Sequence, residues 1–127
     1  MVTLDTCTLV WLSLMPGELS GRAKKAITGN RLIISDISLW EIAMLIKSRR
    51  IQIDSTYREY ITLVLSSFDP VVKPITPEIS GLAVTFDNSV NKDPADRIIA
   101  ATSIIEKAPL VTGDKNLRKS KVVPTIW

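Results

Sequence analysis

"RLIISDISLWEIAMLIKSRR", residues 31–50, sets the fold class. Its opening block, Arg31 to Ser35, is apolar without alternation, which reads as a strand buried on both faces. The period then changes. Asp36 stands as a candidate helix cap, apolar residues follow at helical spacing, and Lys47, Arg49 and Arg50 close the segment with cations. A doubly buried strand followed at once by a helix is the repeating unit of a parallel sheet with helices on both faces.

The same alternation extends outward in both directions. "VTLDT" is a short strand-like start, "CTLVWLSLM" has helical spacing up to the Pro16-Gly17 break, and a second helix is predicted from Leu19 to Thr28, stopping at Gly29. Downstream, "STYREYITLVLSSF" predicts a helix with Ser55 as cap, "VVKPI" a strand, and "TPEISGLAVTF" a helix with Thr76 as cap and Pro77 in its first turn. "KDPADRIIAATSII" predicts another helix, in which Asp93 caps and Pro94 opens the first turn. "PLVTGD" then gives strand and turn, residues near Asn116 to Lys119 a short basic helix, and "VVPTIW" a closing strand whose Pro124 suits a sheet edge. No repeat, linker or low-complexity stretch interrupts this order. The expected architecture is α/β, one domain over residues 1–127.

Composition narrows the chemistry. Apolar residues make up 46% and charged residues 23%, a globular balance with enough apolar surface for a core. The N-terminus carries no basic region ahead of an apolar stretch, and the apolar run from Ile37 to Ile46 is short and holds Glu41, so neither a secretory signal nor a membrane span is expected. The single cysteine, Cys7, has no internal partner, which fits a reducing, cytoplasmic setting. Histidine is absent, which excludes Ser-His-Asp triads, Cys-His pairs and histidine-ligated zinc. Catalysis must rest on carboxylates, hydroxyls, cations, Cys7 or a bound metal. The net charge is only +3, but basic residues cluster: Arg22, Lys24 and Lys25; Lys47, Arg49 and Arg50; and Lys115, Arg118, Lys119 and Lys121. Around an acidic site, such clusters suit a polyanion.

Four carboxylates stand out. In an open parallel sheet, ligands bind beyond the carboxyl ends of the strands, where strand order reverses. Asp5 ends the first strand and Asp114 follows "LVTG", so both belong to that rim. Asp96 sits in a helix's first turn, where the positive end of the macrodipole also favours it. Glu41 is the only charge between Ile37 and Ile46, and no cation of its own helix is placed to pair with it. It needs a distant cation, a solvent cleft or a metal. Four ionised carboxylates in one crevice make mutually repelling pairs, each worth on the order of 2 to 4 kcal/mol at an effective dielectric near 20. Such a cluster demands cations, and oxygen-only ligands suit Mg²⁺ or Mn²⁺, which bind together with phosphates. Metal-assisted phosphodiester hydrolysis follows as the expected chemistry.

"LDTCTLVWL", "SLWEIAMLIKSRRI", "KDPADRIIAATSI" and "LVTGDKNL" together resemble the successive motifs of PIN-domain ribonucleases, in particular the VapC-type toxins of toxin-antitoxin pairs. The resemblance covers nearly the whole chain. It implies a three-layer fold around a five-stranded parallel sheet of order 3-2-1-4-5. It further implies a Mg²⁺- or Mn²⁺-dependent endoribonuclease that cuts RNA with metal-activated water, a homodimer, and inhibition by a cognate VapB-type antitoxin. By motif matching, Asp5, Glu41, Asp96 and Asp114 become the metal ligands and catalytic residues, with Thr6, Thr112 and Asp93 in supporting places and Asp93 more cap than ligand. Cys7 is a soft donor and receives no metal role. Arg97, beside Asp96, is placed to contact phosphate or to orient a carboxylate and stays outside the catalytic set. Trp11 and Trp40 are expected in the core.

Two other readings are kept. A non-catalytic PIN-like interaction module would be expected to have lost one of the acids. A phosphoacceptor receiver domain would carry adjacent acids after its first strand and a lysine ending its last, whereas Asp5 is followed by Thr6 and Cys7 and the last strand holds Pro124.

Overall fold

The structure is a computed structural model describing residues 1–127. Its sheet contains β1 (Val2–Leu4), β2 (Leu32–Ser35), β3 (Val71–Lys73), β4 (Leu110–Val111) and β5 (Thr125–Ile126), all paired in parallel in the order β3-β2-β1-β4-β5. The helices are α1 (Thr6–Leu14), α2 (Gly21–Thr28), α3 (Ile37–Lys47), α4 (Tyr57–Phe68), α5 (Pro77–Ala83), α6 (Pro94–Ile105) and α7 (Lys115–Ser120). The chain lays down β1, β2 and β3 outward on one side, then crosses back to add β4 and β5 on the other. Strand order therefore reverses between β1 and β4, and a crevice opens at the carboxyl ends of those two strands.

The period-two alternation of a strand sorts side chains between two cores. Val2 and Leu4 of β1, Leu32 and Ile34 of β2 and Val111 of β4 pack with Leu9, Ala23, Ile42, Ile61 and Val64 in one. Leu110 of β4 joins Ile79, Ile99, Ala101 and Leu117 in the other. Thr3, between Val2 and Leu4, is fully buried, and its hydroxyl donates to the Ala108 carbonyl at 3.1 Å, which satisfies the one polar group the alternation would strand there. The α/β class, the strand order and the placement of β5, preceded by Pro124, at an edge agree with expectation.

Several local expectations are corrected. Asp36 does not cap α3: its backbone is already helical, the Ile37 amide donates to Ser35 Oγ at 3.3 Å, and Asp36 Oδ2 accepts from the Ile75 amide at 3.4 Å, tying α3 to the loop after β3. Thr56, not Ser55, caps α4, because Glu59 three residues on completes a reciprocal pair with the Thr56 hydroxyl. Ser20 caps α2, so that helix starts after Leu19. Trp40 is 57% exposed rather than buried, while Trp11 is half-buried and packs against Trp127 with ring centroids 5.6 Å apart.

Candidate active site

The crevice is built by helices that start at its rim. Asp5 follows β1 and caps α1, its Oδ1 accepting from the Thr8 amide at 2.7 Å. Asp114 follows β4 and caps α7, its Oδ1 accepting from the Leu117 amide at 3.0 Å. Each cap uses one carboxylate oxygen and leaves the other to turn toward the crevice. Asp93 caps α6 through the Ala95 amide at 2.8 Å, as expected, and so frees Asp96 one turn deeper.

Those second oxygens are held by neutral donors. The buried Thr112 hydroxyl donates to Asp5 Oδ2 and also accepts from the Asp114 amide at 3.0 Å, so one threonine links two of the acids. The Thr6 hydroxyl donates to Glu41 Oε1 and lies 3.0 Å from Ser38 Oγ, which couples α1 to α3. Asn91 is a residue that sequence reasoning missed. Its side-chain nitrogen donates to Asp96 Oδ2 and to Asp114 Oδ2, at 3.0 Å each, using both N–H groups, while its Oδ1 accepts from Asn116 Nδ2 at 2.9 Å. Arg97 in turn fixes the segment that carries Asn91. It donates to the carbonyls of Asn91 at 2.9 Å, Phe86 at 2.7 Å and Asp87 at 3.2 Å. Arg97 thus clasps backbone rather than contacting a carboxylate directly, and it bears on Asp96 and Asp114 through Asn91.

The acids perturb one another. Burial raises the Asp96 pKa to about 7, opposed by the Asn91 hydrogen bond and reinforced by the charges of Asp93, Glu41 and Asp114. Burial likewise pushes Asp5 up, against hydrogen bonds from Thr112 and Thr8, with Asp114 adding to the rise. Glu41 is raised by burial first, opposed by Thr6, and further by Asp93 and Asp5. Cys7, open to solvent on one side, has its thiol pushed up to about 11 by desolvation and then by Asp5, Glu41, Asp96 and Asp114 together. At a pKa near 11 it stays protonated at neutral pH and is a poor metal ligand. Hydrogen bonds supply the geometry: Thr112 joins Asp5 to Asp114, Asn91 joins Asp114 to Asp96, and Thr6, next to Asp5, holds Glu41.

These residues fit a hydrated Mg²⁺ or Mn²⁺ ion. The donors are hard oxygens, and neither of the chain's two ion pairs, Arg31–Asp69 and Lys73–Glu106, neutralises any of the four acids. No three of them stand close enough to clasp one ion directly. Mg²⁺ keeps several waters, through which carboxylates beyond the one or two in direct contact can reach it.

Thr112→Val tests the shared support. The change nearly preserves volume but strips Asp5 Oδ2 of a donor and the Asp114 amide of an acceptor in a buried place. Supporting hydrogen bonds of this kind are worth about 10- to 100-fold in metal affinity. Calorimetric titration with Mn²⁺ should show a loss in that range, and affinity within a factor of about three of the parent would remove Thr112 from the site's support.

Residues 2–122 match the PIN domain family. The chain is 35% identical, over 94% of its length and 92% of the other protein, to Ribonuclease VapC22 of Mycobacterium tuberculosis. Its fold is similar to that in the VapBC2 structure from Rickettsia felis, at TM-score 0.70 and 16% identity, covering 98% of this chain and 97% of the other. It is also similar to a chain of a toxin-antitoxin complex from Klebsiella pneumoniae, at TM-score 0.66 and 20% identity, covering 94% and 92%.

Proposed function

The chain belongs to the PIN-domain family, and from that membership we propose that it is a Mg²⁺- or Mn²⁺-dependent endoribonuclease toxin held in check by a cognate VapB-type antitoxin. What supports this reading is the hydrogen-bonded linkage of Asp5, Asp114 and Asp96 through Thr112 and Asn91, with Glu41 held by Thr6 beside Asp5 and none of the four in an ion pair. A non-catalytic module would have no reason to keep four acids together at a cost in repulsion. The acyl-phosphate receiver reading falls with the family match.

Asp5, Glu41, Asp96 and Asp114 are the residues that would hold a divalent ion, directly or through its waters. When bound, such an ion would supply Lewis acidity to the phosphoryl oxygens and lower the pKa of its bound water toward neutrality. The protein's own part is orientation. Thr112 and Thr6 fix the rotamers of Asp5 and Glu41, and the Asn91 amide sets the spacing between Asp96 and Asp114. Because Asp96 takes up a proton near pH 7 in the metal-free protein, protons compete with the ion, and metal affinity should rise as pH increases through that value. Homodimerisation belongs to the same proposal, as a property that the family resemblance implies.

The test is cleavage of total cellular RNA by antitoxin-free protein with Mg²⁺, with Mn²⁺ and with chelator. Discrete cuts that require the metal are expected. Equal cutting in chelator would discard the metal mechanism, and no cutting by folded, metal-loaded protein would return weight to the interaction module.

A further inference from the structure

Three separated parts of the chain meet in a cleft of about 470 Å³ lined by Arg22, Lys115, Arg118, Lys119, Thr125 and Trp127. Arg22 comes from α2, three cations come from α7, and Thr125 and Trp127 come from the closing strand and its end. The cations are exposed, and neither ion pair of the chain involves any of them. Four like charges converging on one cleft repel each other, and an anion in the cleft offsets that repulsion.

The cleft adjoins the acidic crevice through covalent structure. α7 begins directly after its cap, Asp114, so Lys115 is the residue next to a site acid. Trp127 lies against Gly113, between Thr112 and Asp114: a Cβ at Gly113 would come within 3.0 Å of the indole. Only glycine lets the indole approach that closely, so the wall of the cationic cleft rests on the segment that carries Asp114.

We propose that this cleft holds the phosphate backbone of the RNA strand flanking the cut, with Arg22, Arg118 and Lys119 on phosphates and Trp127 as its single apolar wall. The inference rests on the endoribonuclease reading and deepens it. An acidic crevice repels RNA unless cations beside it supply the attraction, and this cleft does so one residue from Asp114. Its lining is cationic and polar apart from the indole, the combination that tracks single-stranded nucleic acid.

The experiment measures binding apart from cleavage. Arg22→Gln/Arg118→Gln/Lys119→Gln is combined with Asp96→Asn, and binding of a labelled oligouridylate of about 15 nucleotides is followed against salt. Relative to Asp96→Asn alone, Kd should rise at least about tenfold near physiological salt. The slope of log affinity against log salt should shrink by about 2, since each phosphate contact on a single strand contributes about 0.7. In the otherwise wild-type protein, the triple change should raise KM for RNA and leave kcat close to the parent's.

Unchanged affinity and slope in a variant with the parental thermal midpoint would overturn the inference while leaving the nuclease reading intact. A parent that binds oligouridylate through these cations yet cuts no RNA with metal would sustain the cleft and sink the nuclease. If the variant binds RNA normally but no longer retains co-expressed antitoxin, the cleft belongs to an acidic peptide, and the inference is overturned in that direction.

Discussion

Asp96→Asn is expected to lower kcat for RNA by about a thousandfold or more and, in the metal-free protein, to raise stability. The activity loss follows from removing an anionic ligand from an ion that must stabilise a phosphoryl transition state, an effect of several kcal/mol. The stability gain follows from the same charge. The folded protein holds a proton on Asp96 up to about pH 7, against 3.8 for the ordinary side chain, so it binds that proton more tightly than the unfolded chain does. The associated stability is fully present below the ordinary value and is lost as pH rises through the folded one. At about 1.4 kcal/mol for each tenfold change, the full effect would approach about 4 kcal/mol, and solvent reaching the part-exposed side chain reduces it to about 1–2 kcal/mol. The introduced asparagine carries no charge at any pH, and its carbonyl oxygen can still accept from Asn91. Urea unfolding with chelator should therefore show the variant more stable than the parent at about pH 8 and nearly equal to it at about pH 4. Asp5 and Glu41, also raised by burial, remain in both proteins and give both a residual decline with pH. A variant less stable at the higher pH would mean that Asp96 is held by favourable contacts rather than strained by burial and by its acidic neighbours.

That strain was legible in the sequence only in part. Glu41 announced itself because a lone charge in an apolar helix has few bland explanations, and its actual partner, the Thr6 hydroxyl, lies a whole strand-helix unit away. The strands were readable because their blocks are buried on both faces and carry no helical period, and Asp93 because a cap followed by proline is a local signal. Asn91 left no such signal. An asparagine in a loop is ordinary, and its role exists only because α6 and α7 bring Asp96 and Asp114 to the same amide. The cap of α4 is legible at Thr56 rather than Ser55, since Thr56 and Glu59 have the reciprocal capping spacing. The cationic cleft was not readable, because Arg22 and Arg118 approach each other only after the sheet has ordered β5 beside β4. Trp40 misled because aromatic residues are usually buried and nothing in its helix marks which face turns outward.

Arg97→Ala should damage both stability and the site, through one loop. Three guanidinium hydrogen bonds hold the carbonyls of Phe86, Asp87 and Asn91, and bonds to a charged partner are worth about 1.5–3 kcal/mol each before the freed groups find water. Rehydration of this half-exposed segment leaves a net loss of about 2–4 kcal/mol, read as a lower urea midpoint. The second effect is positional. With the 86–91 segment released, the Asn91 amide no longer sets Asp96 against Asp114, and Mn²⁺ affinity should fall about 10- to 100-fold. Asn91→Ala separates the two effects, because it removes the amide and keeps the clasp. Its Mn²⁺ affinity should fall nearly as far while its urea midpoint stays much closer to the parent's. If Arg97 served instead as a phosphate contact, its removal would raise KM for RNA with metal affinity and stability unchanged, and that pattern would discard the clasp.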